Sequence, residues 1–218
     1  MKASLDTNVI IHFYQAGLQN ILFEVFQDGL FIYEQIRNVE LEHHGKSILI
    51  EFDEDINNGK IEVYTDEKLK ELKVYKMFEL TVKENRQLYG TGDLGEVYAI
   101  SLAQILGSYS LVTDDTKHGG PYMSLLNLDY DVMPFNFADV LILRYLSGAV
   151  DEYQTVVDFD KVNQASDMNW SFKSQLVKFF KRFIKDPYKQ EEKKWIEKWA
   201  ADNNVDIIAA FKRISKIL

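Results

Sequence analysis

Acidic residues recur in this chain where a strand is expected to end or a helix to begin. Asp6 follows the first predicted strand, and Asp114 and Asp115 follow the apolar run SLVT. Asp93 and Glu96 lie three residues apart in GTGDLGE, where a helical pattern begins. In an open parallel sheet such positions converge on one crevice at the carboxyl ends of the strands. We therefore expect these side chains to form one acidic cluster.

A cluster of this kind is suited to metal-assisted chemistry. Carboxylates that are brought together repel one another unless a cation neutralises them, and hard cations such as Mg2+ or Mn2+ prefer oxygen ligands. Cations bound in this way can activate water and stabilise a leaving oxygen when a phosphate ester is cleaved. The pattern therefore favours metal-dependent phosphodiester hydrolysis.

Each acidic signal also has a purely structural explanation. Asp93 with Glu96 matches a helix capping box, in which the side chains bind backbone N–H groups. Asp114 and Asp115 could be solvated in a loop. The combination favours a functional site, because unrelated acidic loops would rarely fall at all of these element ends.

The composition is typical of a folded domain without cysteine chemistry. Of the 218 residues, 46% are hydrophobic and 13% aromatic, enough for one packed domain with a small appendage. The absence of cysteine excludes disulfides, thiolate zinc sites and cysteine nucleophiles. The first apolar run, in MKASLDTNVII, is too short for a signal peptide or a membrane span. We expect a soluble cytoplasmic protein that does not associate with membranes.

Charge is distributed unevenly along the chain. The net charge is −9, but residues 173–218 carry 12 basic and 6 acidic residues, whereas residues 1–172 carry 13 and 28. An acidic body disfavours nucleic-acid phosphates, and a basic tail favours them. The two parts therefore need separate explanations.

Apolar periodicity predicts an α/β fold, in which helices flank a parallel sheet. Strands are predicted at residues 2–5, 30–36, 110–113 and 132–137. The clearest helix is 93–106, and residues 66–88 are typical of one or two amphipathic surface helices. For residues 46–64 we favour a helix followed by a strand over a hairpin.

Beyond residue 150 the apolar pattern is helical only. Three apolar helix faces follow one another, and Pro187 separates the first from the second. We therefore predict two domains, an α/β catalytic domain at residues 1–150 and an all-helical C-terminal extension at residues 151–218.

Four segments resemble motifs of the PIN-domain ribonucleases, the family that includes the toxins of VapBC-type toxin–antitoxin pairs. SLDTNVII is similar to the first-strand motif, with Asp6 as its metal-binding residue. RNVELEHHG resembles the helix that supplies the family's glutamate, here Glu40, although Glu34 and Glu42 lie close enough to take that role. GDLGEVYAISLA is similar to a D-x-G-E-x-x-A-I-x-L-A pattern, and LVTDDTKHG to the closing T-D/N-D/N segment. The resemblance covers roughly residues 1–145 and leaves the helical extension out.

The resemblance implies a PIN-like parallel sheet and a metal-dependent endoribonuclease, with a toxin restrained by an antitoxin as one form of that function. One or two Mg2+ or Mn2+ ions would activate water for attack on an RNA phosphodiester. The implied catalytic residues are Asp6, Glu40, Asp93 and Asp115. The implied metal ligands are these four together with Glu96 and Asp114.

Three polar residues next to these carboxylates have two possible roles. Thr7, Asn8 and Thr113 would orient metal ligands or water, or they would satisfy neighbouring backbone groups instead.

The basic tail is the predicted RNA contact. Four of its residues are candidates for binding phosphates: Lys178, Lys181, Arg182 and Lys185. The same residues could form a solvated helix face over an aromatic core. Aromatic residues of the tail could also contact an antitoxin helix or a second copy of the chain, and the resemblance implies a homodimer.

Two other functions stay open at this point. The chain could be a catalytically inactive PIN-like scaffold that binds RNA or protein, which the number of acidic positions disfavours. It could also be a nuclease or phosphatase that acts on another phosphate ester, because a fold constrains chemistry more than substrate.

Overall fold

Five short strands form one parallel sheet. In the computed structural model, which describes residues 1–89, 94–117, 120–127 and 131–218, the strands pair in the order β3-β2-β1-β4-β5. Their bounds are Ala3–Leu5 (β1), Leu30–Tyr33 (β2), Ile61–Tyr64 (β3), Ser110–Val112 (β4) and Met133–Phe135 (β5). Every pairing is parallel. β1, β2 and β4 are buried along their whole length, as is usual for a parallel sheet covered by helices.

Helices connect the strands and flank the sheet. They are α1 (Thr7–Gln15), α2 (Asn20–Val25), α3 (Leu41–His44), α4 (Leu49–Asn57), α5 (Asp66–Glu71), α6 (Tyr75–Tyr89), α7 (Leu94–Ile105) and α8 (Pro121–Asn127). A π-helical turn, Ile36–Glu40, leads into α3, and a 3-10 turn, Lys46–Ile48, leads into α4. The predicted α/β class, with a parallel sheet flanked by helices, is confirmed.

The strand order creates a switch point beside β1. The chain passes from β1 to β2 and β3 on one side of the sheet, and then places β4 and β5 on the other side of β1. In open α/β sheets ligands bind outside the carboxyl ends of the strands at such a switch point. Asp6 directly follows β1 and Thr113 directly follows β4, so both residues lie at this position.

Local sequence signals explain several element boundaries. Asp6 has extended backbone geometry and caps α1, and Thr65 caps α5 through its hydroxyl. Lys73, at a φ of 61°, separates α5 from α6, so the predicted amphipathic segment forms two helices. Residues 46–64 form a helix followed by a strand, the favoured of the two alternatives.

The chain divides into two units, Met1–Asn136 and Phe137–Leu218. The second unit contains α9 (Phe137–Leu146), α10 (Glu152–Ala165), α11 (Phe172–Phe180), α12 (Gln190–Asp202) and α13 (Ile207–Ile214), with a π-helical turn, Lys181–Lys185, after α11. The predicted boundary at residue 150 keeps α9 with the sheet, whereas in the structure α9 packs against α10 and α11 and is grouped with them. Among the helices described, none is long and apolar enough to cross a membrane.

Candidate functional site

Asp6 links the ends of β1 and β4. The residue is only 1% exposed. Its Oδ1 accepts a hydrogen bond of 2.7 Å from the Thr7 N–H, and its Oδ2 accepts one of 3.0 Å from the Thr113 hydroxyl. The Asp6 N–H donates to the Val112 carbonyl at 3.0 Å and extends the sheet by one residue. Asp6 therefore both caps α1 and lies at the switch point. Its carboxylate is near the positive end of the α1 dipole.

The Thr113 hydroxyl connects Asp6 to Asp115. It donates to Asp6 Oδ2 and accepts the Asp115 N–H at 3.2 Å. Thr113 is fully buried, and its bond to Asp6 is buried with it, so water does not compete for that bond. One hydroxyl thus fixes the positions of two predicted catalytic residues that lie more than a hundred positions apart in the sequence.

Asp115 also forms a hydrogen bond with Glu96 at the start of α7. Glu96 is 4% exposed and the Asp115 side chain 8%. The Lys117 N–H donates to Asp115 Oδ1 at 3.2 Å, and the Lys117 ammonium forms an ion pair with Oδ2. Burial raises the pKa of Asp115, but the hydrogen bonds from Glu96 and Lys117 outweigh burial and leave the pKa below its usual range.

Contact between two carboxyl groups has a chemical consequence. They cannot both be ionised at close range unless a proton or a cation lies between them. The carboxyl groups of Asp115 and Glu96 therefore form a place where a cation could be held between two acidic side chains.

Glu40 and Thr7 lie against the backbone at the start of α7. A Cβ added to Gly95 would lie 3.2 Å from Thr7 Oγ1 and 3.3 Å from Glu40 Cγ. Glycine therefore permits an approach that a larger residue would obstruct. In the described part of the chain Thr7 Oγ1 is buried without a hydrogen-bond partner, which is costly unless water or a ligand binds there.

The other two candidate glutamates are used elsewhere. Glu34 Oε1 accepts the Asp66 N–H at 2.9 Å, at the beginning of α5. Glu42 Oε1 accepts a hydrogen bond of 2.8 Å from Arg37. Of the three alternatives, Glu40 is the residue that contacts Gly95.

Asp114 pairs with a histidine. Its Oδ2 lies 2.6 Å from His12 Nδ1, and the Asp114 side chain is fully buried. Sequence pattern alone does not single out His12, because a single histidine on an amphipathic helix has no distinguishing spacing. His12 lies six residues after Asp6 on α1, and it reaches Asp114 because β1 and β4 are neighbours in the sheet.

The remaining predicted site residues are less informative. Asn8 is exposed in the first turn of α1. Asp93, predicted as both a catalytic residue and a metal ligand, lies outside the described residues. Within the described ranges, no three acidic or histidine side chains are close enough as they stand to hold a metal ion.

The four tail residues predicted to bind RNA differ in accessibility. Lys178, Lys181 and Lys185 are exposed. Arg182 is 3% exposed, donates to Glu192 Oε2 at 3.1 Å and lies 3.7 Å from Asp139 Oδ2. The expectation that Arg182 contacts phosphate is therefore corrected: its guanidinium is occupied inside the second unit.

Comparison with known proteins adds no assignment. No family model, no curated protein and no solved structure matches the chain.

Proposed function

We propose that the protein is a Mg2+- or Mn2+-dependent endoribonuclease of the PIN type, with its active site at the carboxyl edge of the sheet between β1 and β4. The observation that carries the proposal is the hydrogen-bonded series of Asp6, Thr113, Asp115 and Glu96 at the switch point. Three of these residues are carboxylic acids gathered from three separate segments. Their sequence motifs are the ones that resemble the PIN ribonucleases.

The residues present fit a hard divalent cation. The donors are carboxylate oxygens, which Mg2+ and Mn2+ prefer. Glu96 forms a hydrogen bond with Asp115, and Lys117 adds a positive charge beside Asp115. The unsatisfied Thr7 hydroxyl lies near Gly95, at the start of the helix that carries Glu96. A bound cation would balance the negative charge of these carboxylates.

Each residue then has a definable task in RNA hydrolysis. A bound cation supplies an activated water and stabilises charge on the leaving oxygen. Asp6 offers a carboxylate that the Thr113 hydroxyl orients, Asp115 offers a carboxylate from a backbone position that the same hydroxyl holds, and Glu96 contributes a further carboxylate. The Thr7 hydroxyl donates to a water or a phosphate oxygen. Glu40, beside Thr7, accepts a proton or adds a further oxygen ligand.

The VapC-like resemblance extends the proposal to a cytoplasmic toxin whose cleavage of RNA is restrained by an antitoxin protein, with the toxin active as a homodimer. Expression of the chain alone should then arrest growth, and Asp6→Asn should relieve the arrest. Growth arrest that persists in Asp6→Asn would contradict a toxic role that depends on this site.

The decisive experiment is cleavage of labelled RNA, single-stranded DNA and a generic phosphate ester with Mg2+, Mn2+ or EDTA. We expect metal-dependent cutting of RNA by the wild type and a large loss in Asp6→Asn and Asp115→Asn. Asp160→Asn, at an exposed position on α10, is the matched control and should retain full activity. Folded wild type that cuts none of the substrates would favour the inactive RNA- or protein-binding scaffold. Selective cutting of DNA or of the ester would support the proposed active site and contradict RNA as its substrate.

A further inference from the structure

A cleft of about 830 Å3 opens in the first unit. Its walls come from the end of β2, the start of α5, one face of α6 and the first turns of α7. That volume falls in the range of pockets that hold small organic ligands. Among the described residues, none of the acidic side chains assigned to hydrolysis lines it, so it requires an explanation of its own.

Three aromatic rings form one wall. The ring centroid of Tyr33 lies 4.8 Å from that of Phe78 and 4.9 Å from that of Tyr98. Phe78 and Tyr98 are 6.2 Å apart, with their planes inclined by 28°. Phe78 is 2% exposed, whereas Tyr98 is partly exposed. Tyr98 therefore presents aromatic surface to the cleft on a rigid, packed base, which favours a flat aromatic ligand.

Two cations line the cleft on α6. Lys83 and Arg86 are exposed and three residues apart, so they share one face of the helix. Among the residues that the structure describes, neither is paired with a carboxylate. Two available cations beside an aromatic wall suit a ligand that carries both a ring and negative charge.

Two carboxylates also line the cleft, Glu79 on α6 and Asp66 at the start of α5. Asp66 accepts hydrogen bonds from the hydroxyls of Tyr33 at 2.5 Å and Tyr75 at 3.2 Å. Partial burial and the bond to Asp66 raise the pKa of Tyr75 to about 12, so Tyr75 stays a donor at neutral pH. A carboxylate has about four acceptor positions, which leaves Asp66 able to accept from an amino group.

The cleft lies close to the proposed active site along α7. Gly95 and Tyr98 are three residues apart and share a helix face. The rise between them is about 4.5 Å. Gly95 contacts Thr7 and Glu40, while Tyr98 packs on Tyr33 at the end of β2. A ligand that reached both places would be a nucleotide within a longer strand.

We infer that this cleft is a nucleobase subsite for single-stranded RNA, an inference that rests on the proposed function. One base stacks on Tyr98, and its exocyclic amino group donates to Asp66. Lys83 and Arg86 bind the phosphates on either side of that nucleotide. Base stacking on an aromatic side chain tolerates different sequences, so the subsite orients the strand and selects unpaired over paired RNA.

The test measures binding without catalysis. Fluorescence anisotropy of a short labelled single-stranded RNA is recorded in EDTA, next to an abasic oligomer with the same number of phosphates. Tyr98→Leu removes the aromatic face and Lys83→Ser/Arg86→Ser removes the cations. Tyr109→Leu, at an exposed tyrosine outside the cleft, and Lys76→Ser, on α6 but outside the cleft, are the matched controls.

We expect Tyr98→Leu to weaken RNA binding about fivefold or more and to leave the abasic oligomer unaffected. The double cation variant should weaken both oligomers, and the controls neither. Equal effects of Tyr98→Leu on both oligomers, or no binding by the wild type, would overturn the subsite. The double cation variant changes exposed positions only, so it can be tested even if Tyr98→Leu does not fold. Unchanged RNA binding by the double cation variant would also overturn the inference.

Two further measurements distinguish a free nucleotide from an RNA strand as the ligand, and a failure of the subsite from a failure of the proposed function. Competition by a mononucleotide as strong as that by the RNA would identify a free nucleotide as the ligand and overturn the strand subsite. Wild type that binds RNA through the cleft but cuts none with Mg2+ or Mn2+ would contradict the proposed function and leave the subsite in place. If the wild type cleaves RNA and the cleft variants bind RNA as tightly as the wild type does, the subsite is overturned and the proposed function stands.

Discussion

At the scale of single residues, the Thr113 hydroxyl connects two carboxylic acids of the proposed site. It donates to Asp6 and accepts from the backbone of Asp115. The bond to Asp6 is buried and the bond to Asp115 is partly buried, and a buried polar group that loses its partner costs about 1–3 kcal/mol. The residue therefore affects stability, the orientation of the Asp6 carboxylate and the backbone position of Asp115.

Two replacements of Thr113 distinguish the effect of its hydroxyl from the effect of its side-chain shape. We expect Thr113→Val, which has nearly the same volume, to lower the free energy of unfolding by about 1–3 kcal/mol. RNA cleavage should fall about 10- to 100-fold, the usual range for residues that orient ligands. Thr113→Ser keeps the hydroxyl and should retain most activity. Urea unfolding and single-turnover cleavage measure the two effects, and equal activity of the two variants would remove Thr113 from the site.

Gly95 gives a second test at this scale. Gly95→Ala would place a Cβ within 3.2 Å of Thr7 Oγ1 and 3.3 Å of Glu40 Cγ. Alanine favours a helix over glycine by about 1 kcal/mol, which offsets the crowding in stability. We therefore expect a nearly unchanged melting temperature with cleavage reduced about tenfold or more. Full activity at unchanged stability would show that the contact of α7 with Thr7 and Glu40 has no functional role.

At the scale of elements, an arginine in a turn joins three helices of the second unit. Arg182, in the turn after α11, contacts Glu192 on α12 and Asp139 on α9. All three side chains are buried. Such a triad ties α9 to the helices that follow it, and removing one member leaves buried charge uncompensated.

Adjacent basic residues of that turn allow a matched comparison. Arg182→Ala should lower the free energy of unfolding by about 3–5 kcal/mol, since it breaks a buried ion pair. Lys181→Ala, at an exposed position next to it, should change stability by about 0.5 kcal/mol or less. Chemical denaturation compares the two. Similar values for both variants would mean that the buried charges are compensated in another way.

At the scale of the whole molecule, the two units differ in charge. Residues 1–136 carry 11 basic and 22 acidic residues, and residues 137–218 carry 14 and 12. The first unit therefore concentrates negative charge, which divalent cations would reduce. RNA would have to bind to local cationic surfaces, where added salt weakens the interaction.

Metal binding should consequently be visible as stabilisation. We expect Mg2+ or Mn2+ to raise the melting temperature of the wild type, with about 2.7 kcal/mol of stabilisation at one hundred times the dissociation constant. Asp6→Asn and Asp115→Asn should lose most of that increase, whereas Asp160→Asn should keep it. The comparison uses NaCl of equal ionic strength as its reference. An identical rise in all four proteins would indicate general screening of charge and contradict a specific site.

The sequence alone determined the class of the fold and the positions of most elements. Alternation of helical and strand periodicity is local, as is a cap such as Asp6, so neighbouring residues suffice to predict them. The acidic residues at strand ends followed from the same reasoning, because parallel strands bring their carboxyl ends to one edge. Asp6, Asp115 and Glu96 were predicted for the site in this way.

Only the tertiary structure decided which side chains meet. His12 and Asp114 are 102 residues apart and pair because β1 and β4 are neighbours. Glu40 contacts Gly95 while Glu34 is used at α5, and Arg182 is buried although Lys181 next to it is exposed. Side-chain pairing of this kind depends on strand order and helix packing, which arise from contacts between distant segments. Local sequence carries little information on those contacts. It therefore predicted the helices and strands but not which of their side chains pair.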